Sequence, residues 1–209
     1  MAEVHEVAPD GDVRLIFGSE EKGNCTHILV SSVFLSFGSP VFKAMLGPHF
    51  KEGATLASGT RLDLPLPEDC PGAMLAICEV MHMKTSTCSI PSVDSLLQVA
   101  LLVDKYDCRA AMSYAMKDWM RLAKSKCLDR NILNLFIIAY LMEFSKSFTK
   151  YGCALVANTE PEFKLTPPDY IPETLQRTIG KNTQRVAPAI EERTDFEIRG
   201  SDRRGVRRK

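Results

Sequence analysis

Seven cysteines and four histidines are the side chains of this 209-residue chain best suited to hold a metal or attack a substrate. Cys78 and His82 stand four apart, one turn of a helix, and Cys25 and His27 two apart, on one face of a strand. Each pair supplies half of a tetrahedral zinc site, yet no second C-x-x-C or H-x-x-x-H spacing completes the four ligands. Cys78 also falls within an apolar stripe, where a thiol behaves as a small hydrophobe. Gly18 and Gly23 have the separation of a phosphate-binding loop. Asn24-Cys25 follows them where Lys-Ser or Lys-Thr is required, and the segment joins two strands instead of opening a helix. No G-x-S-x-G nucleophile elbow is present. The expectation is a non-enzyme without catalytic residue, metal or cofactor, and a thiol- or metal-dependent enzyme is the remotest alternative.

Charge narrows the partners. Lys plus Arg and Asp plus Glu both number 26, so no net field draws in nucleic acid or an anionic membrane. Arg203 to Lys209 hold five basic side chains among seven residues, with no aromatic to stack on a base. That end reads as solvated and flexible, with a nuclear import signal as the functional alternative. The apolar run Ile132 to Met142, interrupted by Asn134, is shorter than the ~20 residues of a membrane span. Met1 to Pro9 lacks the apolar core of a signal peptide, and the cysteine count is odd with irregular spacing. A soluble intracellular protein with free thiols, cytoplasmic or nuclear, is expected.

Period and punctuation set out the elements that must position any site. Val13, Leu15 and Phe17 alternate with Arg14 and Ile16, and Ile28 and Val30 repeat the period after a polar loop, which predicts a hairpin. Val33, Phe34 and Phe37 suit a short helix. Ser39-Pro40 caps and opens a second, which would bury Val41, Met45 and Phe42 before Gly47-Pro48 stops it. Leu62, Leu64 and Leu66 alternate with Arg61, Asp63 and Pro65, and the proline makes this an edge or terminal strand. Four helical stripes follow. The first is Met74, Ile77, Cys78 and Met81, and the second is Val93, Leu96, Leu97, Ala100 and Leu101 behind a Ser92 cap. The third is Met112, Ala115, Met116, Trp119, Met120 and Ala123. The last, capped by Asp129, runs through Ile132, Leu135, Phe136, Ala139 and Met142, and is apolar nearly all round, so it must pack on preceding helices or on a partner. Beyond Asn158, prolines and polar residues leave room for one short helix, Pro172 to Ile179.

In order along the chain, Gly11-Asp12-Val13, Val30-Ser31-Ser32-Val33-Phe34-Leu35, Ser39-Pro40-Val41-Phe42, Phe50-Lys51-Glu52-Gly53, Leu62-Asp63-Leu64-Pro65, Asp104-Lys105-Tyr106-Asp107 and Trp119 resemble the BTB/POZ domain, and most closely its fungal members. The resemblance spans about Asp10 to Lys124. It implies a mixed, helix-rich α/β fold: a small N-terminal sheet flanked by a helical cluster, then extra C-terminal helices and a disordered tail. The expected divisions are a BTB/POZ domain over 10–126, a helical extension over 127–157 and a proline-rich, basic tail over 158–209.

The resemblance also implies a function by protein–protein contact. In the family, an apolar residue followed two positions later by glutamate, placed after the helical hairpin, docks on cullin scaffolds of ubiquitin ligases; Phe50, Lys51 and Glu52 match it. Cullin-binding members extend that interface with later helices, which brings in Ile132 and Phe136. Asp12 matches an acidic position of the family's dimer groove. Ser31 and Ser32 stand where those members carry His followed by Arg or Lys, and the short N-terminus leaves no room for the exchanged strand and helix, so both features count against a swapped homodimer. The expectation is an interaction module, an adaptor between a cullin-type ligase and a client protein. The alternative is a nuclear regulatory scaffold using BTB-mediated association and the basic tail.

Overall fold

The computed structural model describes residues 3–18, 25–84, 92–124 and 131–158. A mixed α/β, helix-rich fold results, with a small sheet at the N-terminal end of the chain and a helical cluster against it. The chain forms two compact units, Met1–Phe144 and Ser145–Lys209. Within the second, the described element is one helix, α8 (Ser145–Asn158).

The sheet is built from β1 (Glu3–Glu6), β2 (Val13–Phe17), β3 (Thr26–Val30) and β4 (Leu62–Pro65), in the order β1-β3-β2-β4. The predicted hairpin is β2 against β3, antiparallel, with Leu15 opposite Ile28. Its alternation places Val13, Leu15 and Phe17 in the core, while Arg14 and Ile16 are half-buried on the other face. As Pro65 requires, β4 is an edge strand, paired parallel with β2. Arg14 stands opposite Asp63 in that register, and its Nε donates to Asp63 Oδ1 at 2.8 Å. The guanidinium holds the Asp63 carboxyl below its usual range. The opening residues correct an expectation. They do have room for a strand, since β1 pairs parallel with the chain's own β3, Glu3 beside Thr26 and Glu6 beside Leu29.

Next come α1 (Ser32–Gly38), α2 (Pro40–Met45) and α3 (Lys51–Ala57), then α4 (Pro71–Met81), α5 (Val93–Lys105), α6 (Arg109–Lys124) and α7 (Ile132–Leu141). Every residue of the first stripe is buried, and the third is buried throughout except for half-buried Ala115. On α5 Leu101 of the expected stripe is only half-buried, and the buried face takes in Val99, Leu102 and Val103 as well as the rest of the stripe, because α4, α6 and α7 all pack on this helix. Ser92 caps this helix as expected, accepting from the Ser95 amide at 3.1 Å. The apolar α7 is covered by α5, and Asn134, the polar break in it, donates to Asp94 at 2.8 Å. The first compact unit includes α7. Asp129, the Pro172 to Ile179 helix and the basic tail fall outside the described residues.

One helix had no signal. The α3 segment Lys-Glu-Gly-Ala-Thr-Leu-Ala has no apolar period and carries a glycine in its first turn. Tertiary packing explains the glycine: a Cβ at Gly53 would lie 2.0 Å from the Gly47 carbonyl oxygen. Only a hydrogen at this position lets α3 begin so close behind the end of α2. No helix among the described residues is long and apolar enough to cross a membrane.

Candidate functional site

Ser39 determines how α2 is rotated. Its hydroxyl accepts from the Phe42 amide at 3.0 Å, capping the helix, and donates to the Tyr106 carbonyl oxygen. Phe42 consequently turns inward and stacks on the Tyr106 ring, with centroids 4.4 Å apart and planes 3° from parallel. This corrects the expected core: Phe42 is fully buried, whereas Val41 and Met45 are only half-buried. Positions 41, 44 and 45 share another face of the helix. With Pro40 and Phe50 they line an open apolar cleft of about 410 Å³.

Phe50 is the N-cap residue of α3 and is 52% exposed at the lip of that cleft. Lys51 beside it is almost wholly in solvent. Glu52 does not share this exposure. Its side chain is only 16% accessible and lies 3.9 Å from Lys51 Nζ, in the first turn of α3 where a carboxylate offsets the exposed amide dipoles. The face of this triplet presented outward is thus Phe50 with Lys51. Glu52, expected to orient a partner, is mainly tucked against its own fold.

Asp12 is occupied within the chain. The Ser32 amide donates to its Oδ1 at 2.7 Å and the Ser32 hydroxyl to its Oδ2 at 2.6 Å. It therefore fastens the start of α1, twenty residues away. His82 completes the anchor: its Nε2 accepts from the Ser31 amide at 3.0 Å, and its Nδ1 faces the Cys78 carbonyl at 2.7 Å. Both ring nitrogens are used, so His82 has no lone pair left for a metal. Burial pushes its pKa below the usual histidine value.

Held this way, α1 presents Val33, Phe34 and Phe37 outward, at 58%, 37% and 89% exposure, with Leu35 alone in the core. Phe34 lies against the His82 ring, 4.8 Å between centroids. No polar residue flags this face in the sequence. The apolar spacing of Val33, Phe34 and Phe37 identifies a short helix but not which face it buries.

The two remaining partner-binding expectations change more. Phe136 is 4% exposed and Ile132 half-buried, because α7 spends its apolar surface on α5.

The Asp-Lys-Tyr-Asp segment holds a knot that sequence reasoning missed. Asp69, 4% accessible at its side chain, accepts from Tyr106 OH and pairs with Lys105 Nζ at 2.6 Å. Burial, reinforced by the Asp69 carboxylate, drives the Tyr106 phenol well above its ordinary pKa. Asp104 and Asp107 both pair with Arg109, and Asp107 adopts a left-handed φ of 47° at the α5–α6 turn.

Cys25, Cys70, Cys78, Cys108 and Cys153 are free thiols. Burial pushes Cys108 up to about 12 and Cys78 higher still, so both stay protonated near neutrality. Cys25, also buried, has its sulfur 3.1 Å from His27 Nε2. No protein-family model matches the chain, and no curated protein matches it either.

Proposed function

We propose that the chain is a BTB/POZ-type protein-interaction module with no chemistry of its own, acting as an adaptor between a cullin-type ubiquitin ligase and a client. The observation that carries this reading is the apolar cleft of Pro40, Val41, Ala44, Met45 and Phe50. An exposed phenylalanine beside a cleft without polar lining is suited to an apolar anchor on a protein surface, since aromatic residues in desolvated pockets dominate such interfaces. The resemblance of Phe50-Lys51-Glu52 to the cullin-docking triplet points the same way. Because Glu52 is mainly covered, Phe50 is assigned the larger share of the binding energy.

The test is calorimetric binding of the full chain to a cullin N-terminal domain. Phe50→Ala is expected to weaken binding by ~30-fold or more, the loss typical of an interface hot spot. Lys51→Glu, at an almost fully exposed position, should change affinity by less than about tenfold. Unchanged affinity in Phe50→Ala with the fold intact by circular dichroism would remove the cleft from the interface.

A second reading, self-association, is favoured by the outward Val33 and Phe37 of α1. It predicts that sedimentation shows a dimer in the wild type and a monomer in Val33→Ser/Phe37→Ser. A nuclear scaffold would engage the same surfaces, and deletion of Arg203 to Lys209 would then redistribute a fluorescent fusion.

A further inference from the structure

Two unlike side chains hold the start of α1. Asp12 takes the Ser32 amide and hydroxyl, and His82 takes the Ser31 amide. We infer that the His82 contact is a proton-operated latch: the neutral ring, with hydrogen on Nδ1, fastens Ser31, and protonation at Nε2 releases it and loosens the first turn of α1. The tautomer follows from the partners, because the Cys78 carbonyl can only accept and the Ser31 amide can only donate. An imidazolium carries hydrogen on both nitrogens, so its Nε2–H would meet the Ser31 N–H head to head. That pair cannot persist.

The surroundings favour release over accommodation. From α4 and its end, Cys78 is a buried thiol, Lys84 repels a positive ring, and Glu79 is the acidic residue of the helix. α1 contains no charged residue, and its Phe34 ring lies against the imidazole. β3, which packs on α4, brings His27, whose Nε2 is engaged with the Cys25 sulfur. Asp12 has both oxygens on Ser32. Release would act on the helix that carries Val33, Phe34 and Phe37 outward, so the exposed apolar face would be ordered at neutral pH and loosened in mild acid.

Ser31 and Ser32 are neighbours held by different groups, which gives the experiment an internal control. The full chain, labelled with nitrogen-15, is followed by NMR hydrogen exchange from pH 7.5 to 5.0, with rates corrected for intrinsic chemistry. Protection of the Ser31 amide should fall about fivefold or more, the opening expected from one lost hydrogen bond. The fall should follow the titration of the His82 ring, while the Ser32 amide loses less. In His82→Gln, whose side-chain oxygen can accept without titrating, the Ser31 response should flatten. Equal loss at both amides, or a Ser31 response that does not track the His82 ring, would overturn the latch. Ring nitrogen shifts of the wild type supply a second reading that needs no variant: hydrogen on Nε2 at neutral pH would also overturn it.

Discussion

Asp69→Ala should be the most damaging single exchange at an acidic residue of the described core. It removes the acceptor for the hydroxyl of Tyr106, a residue only 2% exposed, and strands Lys105. A hydrogen bond to a charged acceptor contributes roughly 1.5–3 kcal/mol. The Lys105 pair adds at most about 1 kcal/mol, because that ammonium is half in solvent and screened. The sum is ~3 kcal/mol. With a urea slope of about 2 kcal/mol per molar, the midpoint should fall by ~1.5 M. Tyr106→Phe keeps the stacking on Phe42 and loses only the hydroxyl, at ~1.5 kcal/mol. The double variant isolates the pair, and a coupling energy of about 1.5 kcal/mol is expected. A coupling below ~0.5 kcal/mol, with unaltered slopes, would refute the claim that this buried bond ties the segment before α4 to the α5–α6 turn.

Four further outcomes follow from the same geometry. Gly53→Ala should destabilise by ~3 kcal/mol or displace α3, since its methyl meets backbone at Gly47, whereas Gly59→Ala, in open space with φ of 77°, should cost only about 1 kcal/mol; thermal unfolding separates them. Ser39→Ala removes the α2 cap and a donor to Tyr106, and a loss of ~2 kcal/mol is expected in urea melts. The lowered pKa of His82 means its contribution is complete above about pH 6.5 and is lost as pH falls, with a slope no steeper than ~1.4 kcal/mol per pH unit for one proton; midpoints of wild type and His82→Gln measured across that range check it. Tyr106 has the opposite sign: its raised pKa gives stability that is complete below about pH 10 and lost above it. Alkaline absorbance titration should therefore find this tyrosine ionising only on unfolding.

The docking and latch assignments differ in what they demand of the protein. The cleft is a passive surface whose occupant supplies the other half of the chemistry, and it depends on Phe50 remaining outward. The latch lies wholly within the chain and depends on which hydrogen the His82 ring carries. Binding of a cullin and release of Ser31 can be measured separately, so the failure of one leaves the other standing.

Much of this molecule was written locally. Alternation identified β2, β3 and β4, Pro65 marked β4 as an edge, and helical spacing identified α4 to α7, because a strand or a long helix buries whichever side chains recur at its own period. The Ser39 and Ser92 caps were legible for the same reason: a cap and its amide lie three residues apart. Tertiary structure decided the rotation of the short helices. A helix of six or seven residues has too few side chains to define a face, so long-range bonds chose Phe42 over Val41 for the core and left Val33 and Phe37 outside. It decided α3 as well, through a backbone approach that only a glycine permits. Asp12 with Ser32, His82 with Ser31, and Asp69 with Tyr106 are separated by 20, 51 and 37 residues, and no local pattern links such positions. The pairs that hold the candidate surface in place exist only once the chain has closed on itself.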